Sequence, residues 1–179
     1  MIVELIGLAG VGKHTVGKML AERLHARLID NHTIYNPAFA STLFRTDAFY
    51  ETVRAVRAIT FGQAERLPEG EALILTTAPG RNMDWSREWQ EAVRALADAR
   101  GVPLLGVHLL CSAEEGAERI AQPARAMLRK VIDPSAIYDG VARPVLLDHC
   151  DISLELDTTE LNPDETANAI LDWLDQPRE

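Results

Sequence analysis

The chain has 179 residues, 47% of them hydrophobic and 25% charged, which excludes collagen-like, low-complexity and disordered chains and suits one domain with a sizeable core. Lys and Arg number 18 against 27 Asp and Glu, a formal charge of −9, so no nucleic-acid or anionic-membrane surface is expected, since either needs a basic face. No apolar run reaches the ~18 residues of a membrane span, and Cys111 and Cys150 make no disulfide framework, so a reduced, cytoplasmic protein without a signal peptide is expected.

The first strand is Ile2–Ile6, with Glu4 an awkward member if that strand is central. The next helix puts Val16, Met19, Leu20 and Leu24 on one face. Leu28–Asp30 reads as a short second strand, and residues 38–67 as one helix with Val53, Val56, Thr60, Ala64 and Leu67 as its stripe. A third strand, Ala72–Thr77, precedes a helix lined by Trp85, Trp89, Ala92, Val93 and Leu96. A fourth, Val102–Leu110, runs into Ser112–Glu115, a capping-box pattern. The fifth is Ile152–Leu156, and Asn162-Pro163-Asp164-Glu165 opens a last helix buried through Ala167, Ile170, Leu171 and Leu174. Strands separated by helices require crossovers, hence a parallel sheet covered on both faces.

Gly7-Leu8-Ala9-Gly10-Val11-Gly12-Lys13 matches G-x-x-x-x-G-K between a strand and a helix. Glycines let the backbone N–H groups converge on an anion, and the helix N-terminus adds partial positive charge. Lys13 then reaches the β- and γ-phosphates, with Gly7, Gly10, Val11, Gly12, His14 and Thr15 around it. The motif asks for a Ser or Thr hydroxyl after the lysine as a Mg²⁺ ligand. His14 stands there and the hydroxyl follows at Thr15, so Mg²⁺ is expected to be held weakly or through water. No protein metal ligand is assigned, and the histidines do not pair with the two cysteines at zinc spacing.

With this loop, Asp30-Asn31-His32 after the second strand, and the basic run Arg119 to Lys130, the chain resembles the P-loop small-molecule kinases, among them shikimate, gluconate and adenylate kinases. The resemblance implies a three-layer α/β/α P-loop NTPase fold with a five-stranded parallel sheet, a single domain over 1–179, an acceptor-binding helical region at about 34–67 and a lid at about 119–135. It implies ATP, Mg²⁺ and a small-molecule acceptor as ligands, in a monomer or homodimer. Asp30 matches the acid that orients the acceptor hydroxyl and takes its proton, whereas His32 replaces a second acid of shikimate kinase, so shikimate is not the expected acceptor. Arg119 matches the lid arginine that stacks on adenine, Arg125 the one that neutralises the transferring phosphoryl group, and Pro163 a proline packing on the other side of adenine.

Thr76-Thr77-Ala78-Pro79-Gly80-Arg81 lacks the glycine run that shikimate kinase carries after its third strand, so a different acceptor site is expected. Arg54 and Arg57 share a helix face, which suits either an anionic acceptor or plain solvation. No guanine-reading N-K-x-D is present, and Asp98-Ala99-Arg100-Gly101 falls at a helix end. The reading is a kinase that phosphorylates a hydroxyl. The same loop would also serve a catalytically weak nucleotide-binding module or an ATP hydrolase, and a hydrolase would need no acceptor.

Overall fold

The structure is a computed structural model that describes residues 1–122, 133–134, 137 and 145–177. Elements follow in the order β1 (Ile2–Ile6), α1 (Lys13–Arg23), β2 (Arg27–Ile29), α2 (Asn31–Ser41), α3 (Asp47–Ala64), β3 (Leu73–Thr77), α4 (Met83–Arg100), β4 (Leu104–Leu110), α5 (Ala113–Ile120), β5 (Ile152–Asp157) and α6 (Pro163–Leu174). The five strands form one sheet in the order β2-β3-β1-β4-β5, and every pairing is parallel. This is a three-layer α/β arrangement with the parallel sheet between two layers of helices.

Strand alternation sorts the core into two halves. Ile2, Leu73, Leu75 and Leu104 pack with α2, α3 and α4 through residues such as Phe49, Val53, Trp89 and Val93. Val3, Leu5, Ile74 and Leu105 pack on the opposite face with Val16 and Leu20 of α1 and Ala167 and Ile170 of α6. All five residues of β1 are buried, as a central parallel strand requires.

The single helix expected at 38–67 is two. α2 starts at Asn31 and runs through Pro37; Thr42 then turns extended, and its hydroxyl and that of Ser41 bond back to the carbonyls of Ala38 and Pro37. Thr46 caps α3 by accepting from the Phe49 N–H at 3.3 Å. Short hydroxyl side chains compete here with helical continuation. The capping box at Ser112 is half formed. Ser112 Oγ accepts from Glu115 N, but the Ser112 N–H goes to Thr159 Oγ1 and the Glu115 carboxylate is taken by Arg119. The complete capping box is at Asn162 and Glu165. Asp98–Gly101 does end a helix, with Gly101 as a left-handed C-cap at φ 61.

Glu4 is fully buried in mid-sheet, and its partners explain how. Thr77 Oγ1 donates to one carboxylate oxygen, and His149 Nε2 lies 2.7 Å from the other. A bare buried carboxylate would be very costly, whereas a hydrogen-bonded one is tolerated. The strand residue beside Glu4 on β4 is Gly106, and a Cβ there would lie 2.7 Å from Cys150 Sγ and 3.2 Å from Leu147 Cδ2. The missing side chain lets residues 147–150 press on the sheet and deliver His149. Gly106→Ala is therefore expected to destabilise the fold by about 1–3 kcal/mol through overpacking, read as a lower midpoint in urea unfolding. An unchanged midpoint would show that the 147–150 segment gives way freely.

Candidate functional site

The loop between β1 and α1 closes over a concavity. Gly10 and Gly12 take φ 101 and 94, left-handed values that side chains resist, and a Cβ on Gly10 would stand 2.7 Å from the Gly116 carbonyl oxygen. Gly12 is the N-cap of α1 and supplies no side-chain bond to its first turn, which carries no acid. By contrast α3, α4, α5 and α6 are capped by Thr46, Asn82, Ser112 and Asn162. The N–H groups and dipole of α1 thus remain directed at the concavity. Lys13 lies across the loop, its ammonium donating to the carbonyls of Gly7 at 2.6 Å and Leu8 at 2.7 Å.

This concavity, about 680 Å³, is lined by the loop from Ala9 to Val16, by Asp30, Asn31 and His32, and by Arg119 and Pro163 from the far side. Arg119 is fixed by four bonds: Nε to Glu115 at 2.6 Å, and its terminal nitrogens to Thr158 Oγ1, the Thr158 carbonyl and the Leu161 carbonyl. The flat guanidinium is held as part of the wall, an arrangement suited to stacking on a planar ring. Thr15 is exposed at the rim.

Asp30 ends up as the N-cap of α2 instead of the last residue of β2, but its side chain does not cap that helix. Thr76 takes over the cap, accepting from Asn31 N at 2.9 Å and donating to Asp30 Oδ1 at 2.8 Å. The buried carboxylate is turned toward the loop, where Oδ1 lies 3.2 Å from His14 Nδ1. That approach is off the line of an N–H hydrogen bond, and the buried ring nitrogen has no hydrogen-bond partner. A phosphate oxygen or a metal-bound water in the concavity would complete it. His32 lies beside Asn36 and stacks near Phe39, with ring centroids 6.3 Å apart.

A second cavity of about 530 Å³ lies on the α2–α3–α4 side of the sheet. It shares Asn31, His32 and Ala78 with the first, so the two meet beside Asp30. Its walls include Tyr35, Phe39, Phe44, Tyr50, Trp85 and Trp89. Burial pushes the Tyr35 phenol up to about 12, so its hydroxyl keeps its proton while accepting from Trp85 Nε1 at 2.8 Å. Six of its wall residues fall within 34–67, the region expected to bind an acceptor, but neither spacing nor charge singled out its aromatic wall. The signal available was the run of five aromatics between Tyr35 and Tyr50 in a chain with only 6% aromatics.

Arg54 and Arg57 do not line either cavity. Both pair with Glu88 at 2.7 Å; Arg54 lies over the Trp85 ring and Arg57 over the rings of Trp85 and Trp89, and the Glu88 carboxyl is held below its usual range by its bond to Arg54. They brace the aromatic wall from behind. Arg125 lies outside the described residues, as does most of the expected lid. Glu4, His149 and Cys150 place ligand atoms within 4.8 Å of one another, a cluster that spacing alone did not reveal because Glu4 comes from the other end of the chain. Burial, followed by the charge of Glu4, pushes the Cys150 thiol up to about 12, which keeps it protonated. Among the described residues no helix is long and apolar enough to cross a membrane.

A family model described as an AAA domain, AAA_33, matches residues 2–134. No curated protein matches the chain by sequence. Among solved structures, a candidate kinase from Chloroflexus aurantiacus is 16% identical over 97% of this chain and 94% of its own, with a TM-score of 0.67. The Mycobacterium tuberculosis APS kinase, solved with AMPPNP and APS, is 20% identical over 98% and 97%, with a TM-score of 0.60. The Acinetobacter baumannii shikimate kinase, solved with shikimate, is 21% identical over 97% and 92%, with a TM-score of 0.55. At these identities the likeness is one of fold.

Proposed function

The chain belongs to the AAA domain family AAA_33 and has the nucleotide-binding fold of P-loop kinases, and from that premise we propose that it transfers the γ-phosphoryl group of ATP to a hydroxyl of a small molecule. The observation that carries this reading is the meeting of two cavities at Asn31, His32 and Ala78. A module that only bound nucleotide, or a hydrolase, has no use for the second cavity.

ATP lies in the larger cavity, its base between Arg119 and Pro163 and its phosphates in the loop. The N–H groups of residues 10–15 and the Lys13 ammonium hold the phosphate charge, which spreads over the transferring group at the transition state. The acceptor hydroxyl gives its proton to the Asp30 carboxylate while its oxygen forms a bond to the γ-phosphorus. The bond from that phosphorus to the bridging oxygen breaks, and ADP leaves with the electron pair. His32 and the neighbouring acceptor region, 34–67, position the acceptor, and Arg125 of the lid supplies further positive charge. Mg²⁺ would come in on the nucleotide and be held weakly or through water, with no protein ligand of its own, and would neutralise phosphate charge.

The test is phosphorus NMR of the protein with ATP, Mg²⁺ and a pooled metabolite extract, beside Lys13→Ala. A new phosphoester resonance that the variant fails to produce is the expected result. Free phosphate as the sole product would instead make the protein a hydrolase, and untouched ATP with wild-type-dependent line broadening would make it a nucleotide-binding module.

A further inference from the structure

We propose that the second cavity takes an acceptor alcohol whose body is a planar aromatic ring, held by stacking and edge contacts rather than by a set of directed hydrogen bonds. This rests on the phosphotransferase reading and names its substrate class. The chain has ten aromatic residues, and seven of them line this one cavity. Their rings already contact one another at centroid distances of 4.7 Å for Tyr50–Trp85, 5.5 Å for Tyr35–Trp89 and 5.5 Å for Phe39–Phe44. Phe39 and Phe44 remain 45% and 58% exposed, which leaves part of each ring to water until something apolar covers it.

Several polar groups on the α4 side of the wall point to the same class because they are engaged within the protein. Asn82 Oδ1 accepts from Trp85 N, and Ser86 Oγ donates to the Asn82 carbonyl. Gln90 Nε2 donates to the Leu146 carbonyl at 3.0 Å. The two indole N–H groups go to Tyr35 Oη and Thr77 Oγ1, and Thr77 donates to Glu4. A polyhydroxylated acceptor lying against the aromatic wall would give up water to faces that offer no hydrogen bonds in return, at a cost in binding. A ring gives up little hydration and gains aromatic contacts. Its hydroxyl then projects to the junction at Asn31, His32 and Ala78, beside Asp30. Arg45, over the Phe44 ring at 4.9 Å, adds a cation that tolerates an acidic substituent. A volume of about 530 Å³ lies within the usual range for drug-sized ligands.

The probes are 3-phenyl-1-propanol, its saturated partner 3-cyclohexyl-1-propanol, and gluconate as a polyol. Binding is read from Trp85 and Trp89 fluorescence in a Trp173→Phe background, and transfer from the phosphoester signal with ATP and Mg²⁺. The phenyl alcohol is expected to bind several-fold tighter than the cyclohexyl one, the usual advantage of ring–ring contacts. Phe39→Ala with Phe44→Ala, both at exposed positions, should weaken phenyl binding about tenfold while ATP binding on the same protein reports an intact fold. Equal or better binding of gluconate, or phenyl binding indifferent to the Phe pair, overturns the proposal. Ring binding without any phosphoester would uphold the aromatic site and sink the transfer reading, whereas phosphoester on gluconate without ring binding would do the reverse.

Discussion

Lys13→Ala is expected to weaken ATP binding ~10–100-fold and to lower phosphoryl transfer by about 10²–10³ more. The first figure follows from losing hydrogen bonds to a charged partner, roughly 1.5–3 kcal/mol. The second follows because positive charge stabilises the transition state more than bound substrate. The backbone N–H groups at the α1 N-terminus survive the substitution, so residual binding should remain. The ammonium donates to the carbonyls of Gly7 and Leu8, so binding a phosphate would exchange these two bonds for phosphate oxygens. Lys13→Arg should not rescue, since a planar fork is not interchangeable with a compact ammonium in so tight a loop. Titration calorimetry with ATP measures the binding loss; wild-type affinity in Lys13→Ala would show that the loop is not the phosphate site.

Asp30→Asn should separate binding from chemistry. The amide keeps the shape of the carboxylate and can still accept from Thr76 Oγ1, the 2.8 Å bond that fixes the group. The fold should survive, and ATP affinity should change little. What the amide lacks is basicity. A positioned general base contributes about 10²–10⁴ in rate, so kcat should fall by that factor with KM for ATP nearly unchanged. A fall in ATP affinity with kcat preserved would make Asp30 a nucleotide ligand and remove it as the base.

The loop of the candidate site was legible as a turn and helix start because its information is local. Seven consecutive residues, Gly7–Lys13, specify a turn, a helix start and a charge, and the strands flanking them announce themselves by apolar runs. The second cavity was legible only as a region, 34–67, because its walls are assembled across the fold. Arg54 and Arg57 lie on one helical face as their spacing says, yet their partner Glu88 arrives from α4, 34 and 31 residues away. Glu4 looked out of place in β1 until His149, 145 residues distant, supplied its partner. The break between α2 and α3 rests on hydroxyls at Ser41, Thr42 and Thr46, whose competition with the helix is visible only once the backbone turn is known.

The alternation along β1 has a consequence for how such a protein could diversify. Ile2, Glu4 and Ile6 look toward α2, α3 and α4, while Val3 and Leu5 look toward α1 and α6. One sheet thus insulates two inheritances: the odd-numbered side is committed to the nucleotide-loop helix, and the even-numbered side is open to change. A transplant of residues 34–64 and 83–100 from a relative of different appetite should carry acceptor choice with it and leave the lining of the larger cavity intact, provided Glu4 and Gly106 are matched to the incoming helices.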